Sequence, residues 1–391
     1  MNNQLLNSEV QRFITENQFL EPAEISLKKS PFPEVSPAEL AQQIAGRRKA
    51  RTKLPTWYHG TGIIYPPSLG MEQCSSEATA LYKAKLTGGK TLIDITGGFG
   101  VDSYFFSLKN ETVHYCELQP ELAQLAAHNF TVLGTTNIQV HSESGLQMAQ
   151  KLASEGIRFD WIYADPSRRA TGGGKVVDLR DYTPNIPDHL SDLLPLTSNL
   201  MVKTSPMLDL SAGALALPGV REIHCVCVHN EVRELLWWIQ PNYNGPITRI
   251  AVELNHELPF QFTLEEEQRV FARYEPPGLY LYEPHAGLMK TGPFGLIGDR
   301  FNLTKLHRHT HLYTSNSLIP FPGRRFRILE TLPYKAKKLP FTKANIATRN
   351  FPDSVDKIRQ RTRIKSGGNT YLFFVKLWDD SLKVLVTEAI S

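Results

Sequence analysis

A glycine-rich turn after an apolar run is the segment with the clearest chemical meaning. Residues 93–103 read IDITGGFGVDS, and glycine lets a backbone turn tightly and approach a ligand closely. In an open α/β sheet such a turn lies at the carboxyl end of the first strand, where ligands bind. The dinucleotide fingerprint G-x-G-x-x-G is not met, because Ser103 takes the place of its last glycine. The candidate binding residues in this turn are Asp94, Thr96, Gly97, Gly98 and Gly100.

Acidic residues follow the next two predicted strands. Glu117 stands 23 residues after Asp94, and a carboxylate there can accept both hydroxyl hydrogens of a ribose. Glu143 follows the third strand, in a position to meet an adenine edge. An ordinary surface role stays open for both residues, and more so for Glu143.

A third candidate segment, residues 165–169, follows the fourth predicted strand and reads DPSRR. Pro166 fixes the loop and exposes backbone carbonyls beside Asp165, which could position an acceptor or take its proton. Arg168 and Arg169 could hold a phosphate, although a structural ion pair is an equal alternative. The glycines of residues 171–176 fail the P-loop pattern, which needs Ser or Thr after the lysine, and we expect a lid there instead.

The elements that must position these residues alternate between strand and helix patterns. Apolar runs predict strands, and amphipathic segments such as 120–133 and 146–155 predict helices between them. This order predicts an α/β fold, a Rossmann-like doubly wound parallel sheet of seven strands. The predicted strands are 91–95, 112–116, 138–141, 159–164, 199–204, 222–228 and 248–254.

Composition and length exclude several classes of protein. At 391 residues the chain exceeds one ordinary domain, and its helical first 75 residues include a helix start at Ser36. No stretch reaches the ~18–20 apolar residues of a membrane span. Four cysteines do not make a disulfide framework in a chain of this size, so we expect reduced thiols and a cytoplasmic protein.

The C-terminal region is strongly basic. Residues 320–391 contain 15 Lys and Arg against 6 Asp and Glu, a net charge of +9, so residues 1–319 carry −5. Basic residues with interleaved Phe and Tyr suit contact with a nucleic-acid backbone, although a solvated basic face is an equal alternative. Strand-like runs at 327–332, 371–377 and 383–386 with a helix at 354–360 predict a small α+β module.

Three other patterns favour structural roles. Cys225, Cys227 and His229 alternate as metal ligands might, but zinc-site spacing is missing and a buried strand is the better interpretation. His307, His309 and His311 fit a partly exposed strand or turn, and the Trp237-Trp238 pair fits core packing. We therefore predict no metal site.

Four of these segments together resemble motifs I to IV of class I S-adenosylmethionine-dependent methyltransferases: Asp94–Gly100, Glu117, Glu143 and Asp165-Pro166. The segment 343–352, KANIATRNFP, and the order of domains are similar to the bacterial methyltransferase family that ends in a THUMP-like domain. The resemblance implies a helical region 1–75, a methyltransferase domain 76–255, a ferredoxin-like linker domain 256–319 and a THUMP-like domain 320–391. It also implies S-adenosylmethionine as cofactor and RNA, possibly tRNA, as partner through residues 320–391.

The chain departs from the family pattern at motif IV. Amino-group methyltransferases typically have Asn/Asp-Pro-Pro-aromatic there, whereas this chain has Ser167 and Arg168 at the last two positions. Methylation of adenine N6 or guanine N2 therefore cannot be inferred from the resemblance. We expect methylation of a nucleotide in structured RNA. Two alternatives stay open: a non-catalytic RNA-binding protein, and a methyltransferase of a protein or small molecule. A third, a nicotinamide-dependent oxidoreductase, is disfavoured because the dinucleotide fingerprint is missing.

Overall fold

The computed structural model of the chain describes residues 2–168, 178–255, 258–334 and 339–390. The chain forms two compact units: unit 1 contains residues 1–222 and 235–245, and unit 2 contains residues 223–234 and 246–391. Among the described residues, no helix combines the length and the apolar character needed to cross a bilayer.

Unit 1 begins with a short 3-10 helix, Asn3–Leu6, followed by six α-helices. The longest, α3, begins as predicted at a capping box made by Ser36 and Glu39, with Pro37 as its first residue. It ends with Arg51 and Lys53 in its last turn, where cations interact favourably with the helix dipole. The six are α1 (Ser8–Glu16), α2 (Pro22–Ser26), α3 (Pro37–Lys53), α4 (Pro55–His59), α5 (Ser68–Gln73) and α6 (Glu77–Leu86).

The sheet of unit 1 alternates with helices as predicted. Its strands are β1 (Gly89–Asp94), β2 (Asn110–Cys116), β3 (Ile138–His141), β4 (Phe159–Ala164), a short pair β5 (Ser167–Arg168) and β6 (Tyr182–Thr183) outside the main sheet, β7 (Thr197–Thr204), and the unit-1 parts of β8 (Val220–Val228) and β9 (Glu231–Ile239). The helices are α7 (Val101–Ser107), α8 (Pro120–Val132), α9 (Gly145–Ser154), α10 (Ile186–Leu193) and α11 (Leu210–Ala216).

Over the part of this sheet that unit 1 contains, the strand order is β8-β9-β7-β4-β1-β2-β3. Strands β3, β2, β1, β4 and β7 pair in parallel, and β9 pairs with β7 antiparallel. The carboxyl ends of the parallel strands therefore meet at one edge, which is the ligand edge of an open α/β sheet.

Strand β9 is absent from the sequence prediction. It follows a two-residue turn, His229-Asn230, in which both residues have positive φ, 53° and 60°. Such turns favour Asn-Gly or Asp-Gly, so the His-Asn pair gave no hairpin signal. The Trp pair lies on this strand: Trp237 is buried, and Trp238 donates a hydrogen bond from Nε1 to Asn199 Oδ1.

The N-terminal helices pack directly against the sheet domain within unit 1. Trp57 is fully buried, with its ring 4.9 Å from that of Tyr104 and 6.0 Å from that of Phe105 on α7. Asn129 on α8 donates to the carbonyl of Ile64 at 2.9 Å and accepts from the Ile64 N–H at 3.0 Å. The two backbone groups of this connecting segment are therefore satisfied by one side chain of the sheet domain.

Unit 2 contains the rest of β8 and β9, the antiparallel pair β10 (Thr248–Glu253) and β11 (Phe260–Thr263), and a second sheet of order β13-β14-β12-β15-β18-β17-β16. Its strands are β12 (Tyr280–Pro284), β13 (Thr304–Lys305), β14 (Tyr313–Ser315), β15 (Gly323–Pro333), β16 (Asn345–Arg349), β17 (Thr370–Lys376) and β18 (Leu382–Ile390). Its helices are α12 (Leu264–Arg269), α13 (Ala286–Thr291), α14 (Phe294–Arg300) and α15 (Val355–Thr362). The predicted α+β module is confirmed, with β16 as a strand that the sequence did not reveal.

A buried carboxylate joins three strands of this second sheet. Glu283 on β12 is 4% exposed and accepts a 2.7 Å hydrogen bond from Arg324 Nε on β15. Arg349 on β16 pairs with the other carboxylate oxygen. Because a buried charge without partners is costly, the two arginines are part of the fold of unit 2.

We predict that Asn129→Ala lowers the free energy of unfolding by about 2–4 kcal/mol, because it leaves the buried N–H and C=O of Ile64 without partners. Urea denaturation of the whole chain measures the effect. Asn244→Ala is the matched control, because Asn244 is exposed and should change stability by less than ~0.5 kcal/mol. Equal effects of the two variants would contradict the prediction.

Candidate active site

Asp94 is the buried acid at the carboxyl end of β1. Its Oδ1 accepts a hydrogen bond from the Thr96 N–H at 3.0 Å, and its Oδ2 accepts one from Ser103 Oγ at 2.6 Å. Burial raises the pKa of Asp94 to about 7, and these two hydrogen bonds oppose the rise. The carboxyl group is thus poised near neutral pH while it organises the turn that follows.

The glycines of this turn are needed for different structural reasons. A Cβ on Gly97 would overlap the ring of Tyr115, and Gly100 has a φ of +85° and faces Phe130. Gly98 also has positive φ, +55°, but among the described residues the nearest atom to a Cβ there would be the Thr96 carbonyl oxygen at 3.8 Å. Tyr115 donates a hydrogen bond to the Gly98 carbonyl at 2.6 Å. The turn is therefore fixed from the protein side, and Gly98 leaves open space beside it.

Glu117 lies against the same turn. Its Oε2 accepts from the Gly98 N–H at 2.9 Å, and its Oε1 accepts from the Gln119 N–H at 2.8 Å. A carboxylate oriented by two backbone amides keeps its remaining lone pairs for a ligand that brings hydroxyl groups. This geometry, with the space at Gly98, fits the ribose side of a nucleoside cofactor.

Asp165 is tied to the turn from the neighbouring strand β4. Its N–H donates to Thr96 Oγ1 at 2.6 Å, and Thr96 is itself held by Asp94. On the other side, Lys203 Nζ near the end of β7 lies 2.5 Å from Asp165 Oδ2. The structure thus joins the Asp94 turn and the Asp165 loop into one constellation at the ligand edge.

A buried charge cluster lies next to this constellation. Asp102 on α7 accepts hydrogen bonds at Oδ2 from Ser75 and Tyr163, and the fully buried Lys83 lies 3.2 Å from its Oδ1. Burial acts to raise the pKa of Asp102, but the Lys83 and Lys203 cations hold it below its ordinary value. A residue of the N-terminal helices, Lys83 on α6, therefore supports the first helix after the turn.

The remaining predicted residues differ in what can be said of them. Glu143 is exposed two residues beyond β3, and Pro166 is buried. Arg168 pairs through its backbone with Tyr182 in the short β5–β6 ladder. Arg169 and the predicted lid at 171–176 lie outside the described residues.

Sequence reasoning missed the residues that hold the site together. Ser103 and Asp102 lie within residues 93–103. The G-x-G-x-x-G pattern shows Ser103 only as a missing glycine and does not reveal that its hydroxyl binds Asp94. Lys203 gave one available signal: a lysine inside a strand that is otherwise apolar toward its end. Tyr115 and Lys83 gave none, because their roles depend on contacts between distant segments.

The alternating Cys and His residues do not form one row. Cys225 and Cys227 are buried in β8, whereas His229 lies in the turn after it. His307 and His309 lie in a turn after β13. Within the described ranges, no three His, Cys, Asp or Glu side chains are grouped as metal ligands would be.

Comparisons with known proteins identify relatives over the whole chain and over its C-terminal part. Residues 280–322 match a ferredoxin-like domain family, and residues 323–389 match a THUMP domain-like family. The crystal structure of a "putative methyltransferase" from Porphyromonas gingivalis W83 is 31% identical with a TM-score of 0.87, over 100% of this chain and 99% of that one.

Two curated bacterial proteins show shorter matches. An uncharacterized RNA methyltransferase of Halalkalibacterium halodurans is 32% identical over 90 residues, which is 23% of this chain and 20% of that protein. One of Bacillus cereus is 29% identical over 102 residues, 26% of this chain and 22% of that protein. The chain thus spans about a fifth of the length of these curated relatives.

We predict that Asp94 makes stability fall as the pH rises. Its pKa is about 7 in the folded chain against an ordinary 3.8, so the folded state binds the proton more tightly between these values. The free energy of unfolding should therefore decrease through this window and level off above pH 7. The free energy of unfolding of Asp94→Asn minus that of the wild type should increase by about 2–3 kcal/mol from pH 5 to pH 8, because the amide does not titrate.

Urea denaturation of the variant and of the wild type at both pH values measures this change. Because the difference between variant and wild type is taken at each pH, the contributions of other titrating groups cancel. Glu121→Gln, at an exposed position, is the control and should show no such gain. If the difference between Asp94→Asn and wild type is the same at both pH values, the Asp94 carboxyl group has the same pKa in the folded and unfolded states, which would contradict the prediction.

Proposed function

We propose that this chain, which belongs to the class I S-adenosylmethionine-dependent methyltransferase family with C-terminal ferredoxin-like and THUMP-like domains, methylates a nucleotide of structured RNA such as tRNA. The observation that carries the proposal is the constellation of Glu117, Thr96 and Asp165 at the ligand edge of the sheet. The cytoplasm is the expected place of action.

The residues that would hold S-adenosylmethionine surround the Gly98 space. Glu117 would accept the ribose hydroxyls, Glu143 would face the adenine side, and the turn from Asp94 and Thr96 through Gly97, Gly98 and Gly100 would line the rest. When bound, the cofactor supplies an electrophilic methyl group on its sulfonium. The chain's own part is to orient that group and the acceptor, which is the main requirement of an in-line transfer.

Asp165 is the residue proposed to meet the acceptor. Its backbone is held by Thr96, and its side chain remains 31% exposed at the ligand edge. Pro166 would shape the loop, and Arg168 and Arg169 would bind a phosphate of the substrate. Because Ser167 and Arg168 replace Pro and an aromatic residue, the identity of the methylated atom does not follow from the family.

Residues 320–391 are proposed to capture the RNA backbone. Lys343 and Lys365 form a parallel bridge, so two cations lie side by side on exposed backbone. A Cβ on Gly367 would come 2.8 Å from Lys343 Cε, so the glycine makes room for the lysine side chain. Arg363 is exposed nearby in left-handed conformation, and these three cations make no ion pair with any described residue. Adjacent like charges favour an anion such as phosphate.

We predict that the protein transfers label from S-adenosylmethionine to small RNA isolated from cells that lack it. Asp165→Ala should lower the rate by ~100-fold or more and still bind S-adenosylhomocysteine, because it removes a group that meets the acceptor. Glu117→Gln should instead weaken S-adenosylhomocysteine binding by about 10-fold, since it removes a charged hydrogen-bond acceptor. Glu121→Gln is the matched surface control.

The assay includes total protein from the same cells as a second acceptor pool. RNase-sensitive label that Asp165→Ala abolishes would support the proposal. Label in protein would favour the protein-acceptor alternative. Tight cofactor binding with no label in either pool would favour a non-catalytic RNA-binding role, which the altered motif IV keeps open.

We also predict that Lys343→Ala/Arg363→Ala/Lys365→Ala weakens binding of small RNA by ~10- to 100-fold at low salt. The slope of log affinity against log salt should fall by about 2–3, because each cation neutralises one phosphate. Filter binding across a salt series measures both. The control, Lys28→Ala/Lys29→Ala/Lys109→Ala, removes the same charge from exposed positions of unit 1 and should leave both unchanged. An unchanged slope in the first variant would place the RNA elsewhere.

A further inference from the structure

We infer that Lys203 is a positioning residue of the methyl-transfer site: it directs one oxygen of Asp165 toward the acceptor and cancels the charge of that carboxylate, so that the site takes an uncharged N–H acceptor such as a nucleobase. The inference rests on the proposed function of Asp165 and assigns a role to Lys203, which lies outside motifs I to IV as described above.

The first argument is the register of two neighbouring parallel strands. Ala164 on β4 pairs with Val202 on β7, so the residues that follow, Asp165 and Lys203, lie side by side at the ligand edge. The side chain of Lys203 is only 13% exposed, although lysine is usually at the surface. A largely buried lysine at this edge needs a specific partner, and Asp165 Oδ2 at 2.5 Å provides it.

The second argument is the state of the two carboxylate oxygens. Lys203 binds Oδ2, whereas Oδ1 of Asp165 accepts no hydrogen bond from any residue in the described part of the chain. The loop backbone cannot turn freely, because the Asp165 N–H is held by Thr96 Oγ1. With backbone and Oδ2 both fixed, Oδ1 is the oxygen left to accept a hydrogen bond from a substrate N–H.

The third argument is the charge balance of the site. Asp165 is paired with Lys203 and Asp102 with Lys83, while burial raises the pKa of Asp94 to about 7. Lys203 also acts on its surroundings: burial lowers the pKa of Lys53 and the Lys203 cation lowers it further, while at Asp102 the cations of Lys83 and Lys203 outweigh the raising effect of burial on the pKa. Glu117 and Glu143 are proposed to face the cofactor, so on the acceptor side these three acids leave little unbalanced negative charge. Such a surrounding does not attract a protonated amine, particularly beside a sulfonium, and suits an uncharged N–H group.

The step this implies is balanced without a further reactant. The acceptor nitrogen forms a bond to the methyl carbon as the carbon–sulfur bond breaks, and the electron pair of that bond stays on sulfur. The nitrogen gives up its proton to Asp165 Oδ1 or to water. Lys203 contacts Asp165 and would act on the acceptor through it.

The test compares the affinities of S-adenosylmethionine and S-adenosylhomocysteine, measured by calorimetry, because the two differ by one positive charge at sulfur. Lys203→Met leaves Asp165 uncompensated and should shift the affinity ratio toward S-adenosylmethionine by about 3- to 10-fold. It should also lower kcat on RNA by ~100-fold, with a smaller change in KM, since the carboxylate is no longer oriented.

Two further variants separate charge from packing. Lys203→Arg should restore most of the wild-type ratio and part of kcat, because it keeps the cation. Lys203→Met combined with Asp165→Asn should return the ratio to the wild-type value while kcat stays low, because the pair is again neutral. Lys90→Met, at the opposite end of β1 and exposed, should leave both readouts unchanged.

An unchanged ratio in Lys203→Met, or an equal loss of both affinities together with thermal stability, would overturn the inference. Label on lysine or arginine side chains of protein would overturn its acceptor part. Because the ratio needs no acceptor, the two proposals fail separately: absence of RNA label in wild type refutes the proposed function, whereas an unchanged ratio refutes the role of Lys203.

Discussion

The site depends on one hydroxyl group, that of Thr96. Its oxygen accepts the Asp165 N–H at 2.6 Å, and its own backbone N–H is held by Asp94. Because β1 and β4 are adjacent parallel strands, this single contact fixes the distance between the glycine-rich turn and the Asp165 loop. Without it, among the described residues the two halves of the constellation would be joined by the strand pairing behind them and by the hydrogen bond from Tyr163 to Asp102, neither of which contacts Asp165 itself. In-line transfer requires a more precise alignment than that.

The surroundings of that contact explain why the N-terminal helices are part of the same compact unit. Lys83 enters from α6 to pair with Asp102, and Asn129 binds the chain at Ile64. Breaking a buried pair by removing one partner costs about 3–5 kcal/mol, so the helices and the turn are energetically coupled. A region that resembles an appendage in the sequence is thus a structural support of motif I.

The sequence was sufficient where the fold uses local patterns. Strand periodicity predicted β1 and the turn after it, and alternation predicted the parallel order of β3, β2, β1, β4 and β7. The antiparallel strand β9 departs from the predicted parallel sheet. The roles of Glu117 and Asp165 stay predictions. Strand β9 was missed because His229-Asn230 adopts a conformation usually marked by glycine. Tyr115, Lys83 and Lys203 were missed because each acts on a residue far away in sequence, and only the folded chain brings them into contact.

The division of the chain at residues 222, 234 and 245 has a consequence for inheritance. The polypeptide passes between the two units three times, so no single cut yields either unit whole. A shortened gene that ends at residue 245 would lose residues 246–391 and leave 223–234 without the rest of their unit. Gain or loss of the basic part by a simple terminal fusion or deletion is therefore disfavoured, and the two units are expected to evolve as one gene.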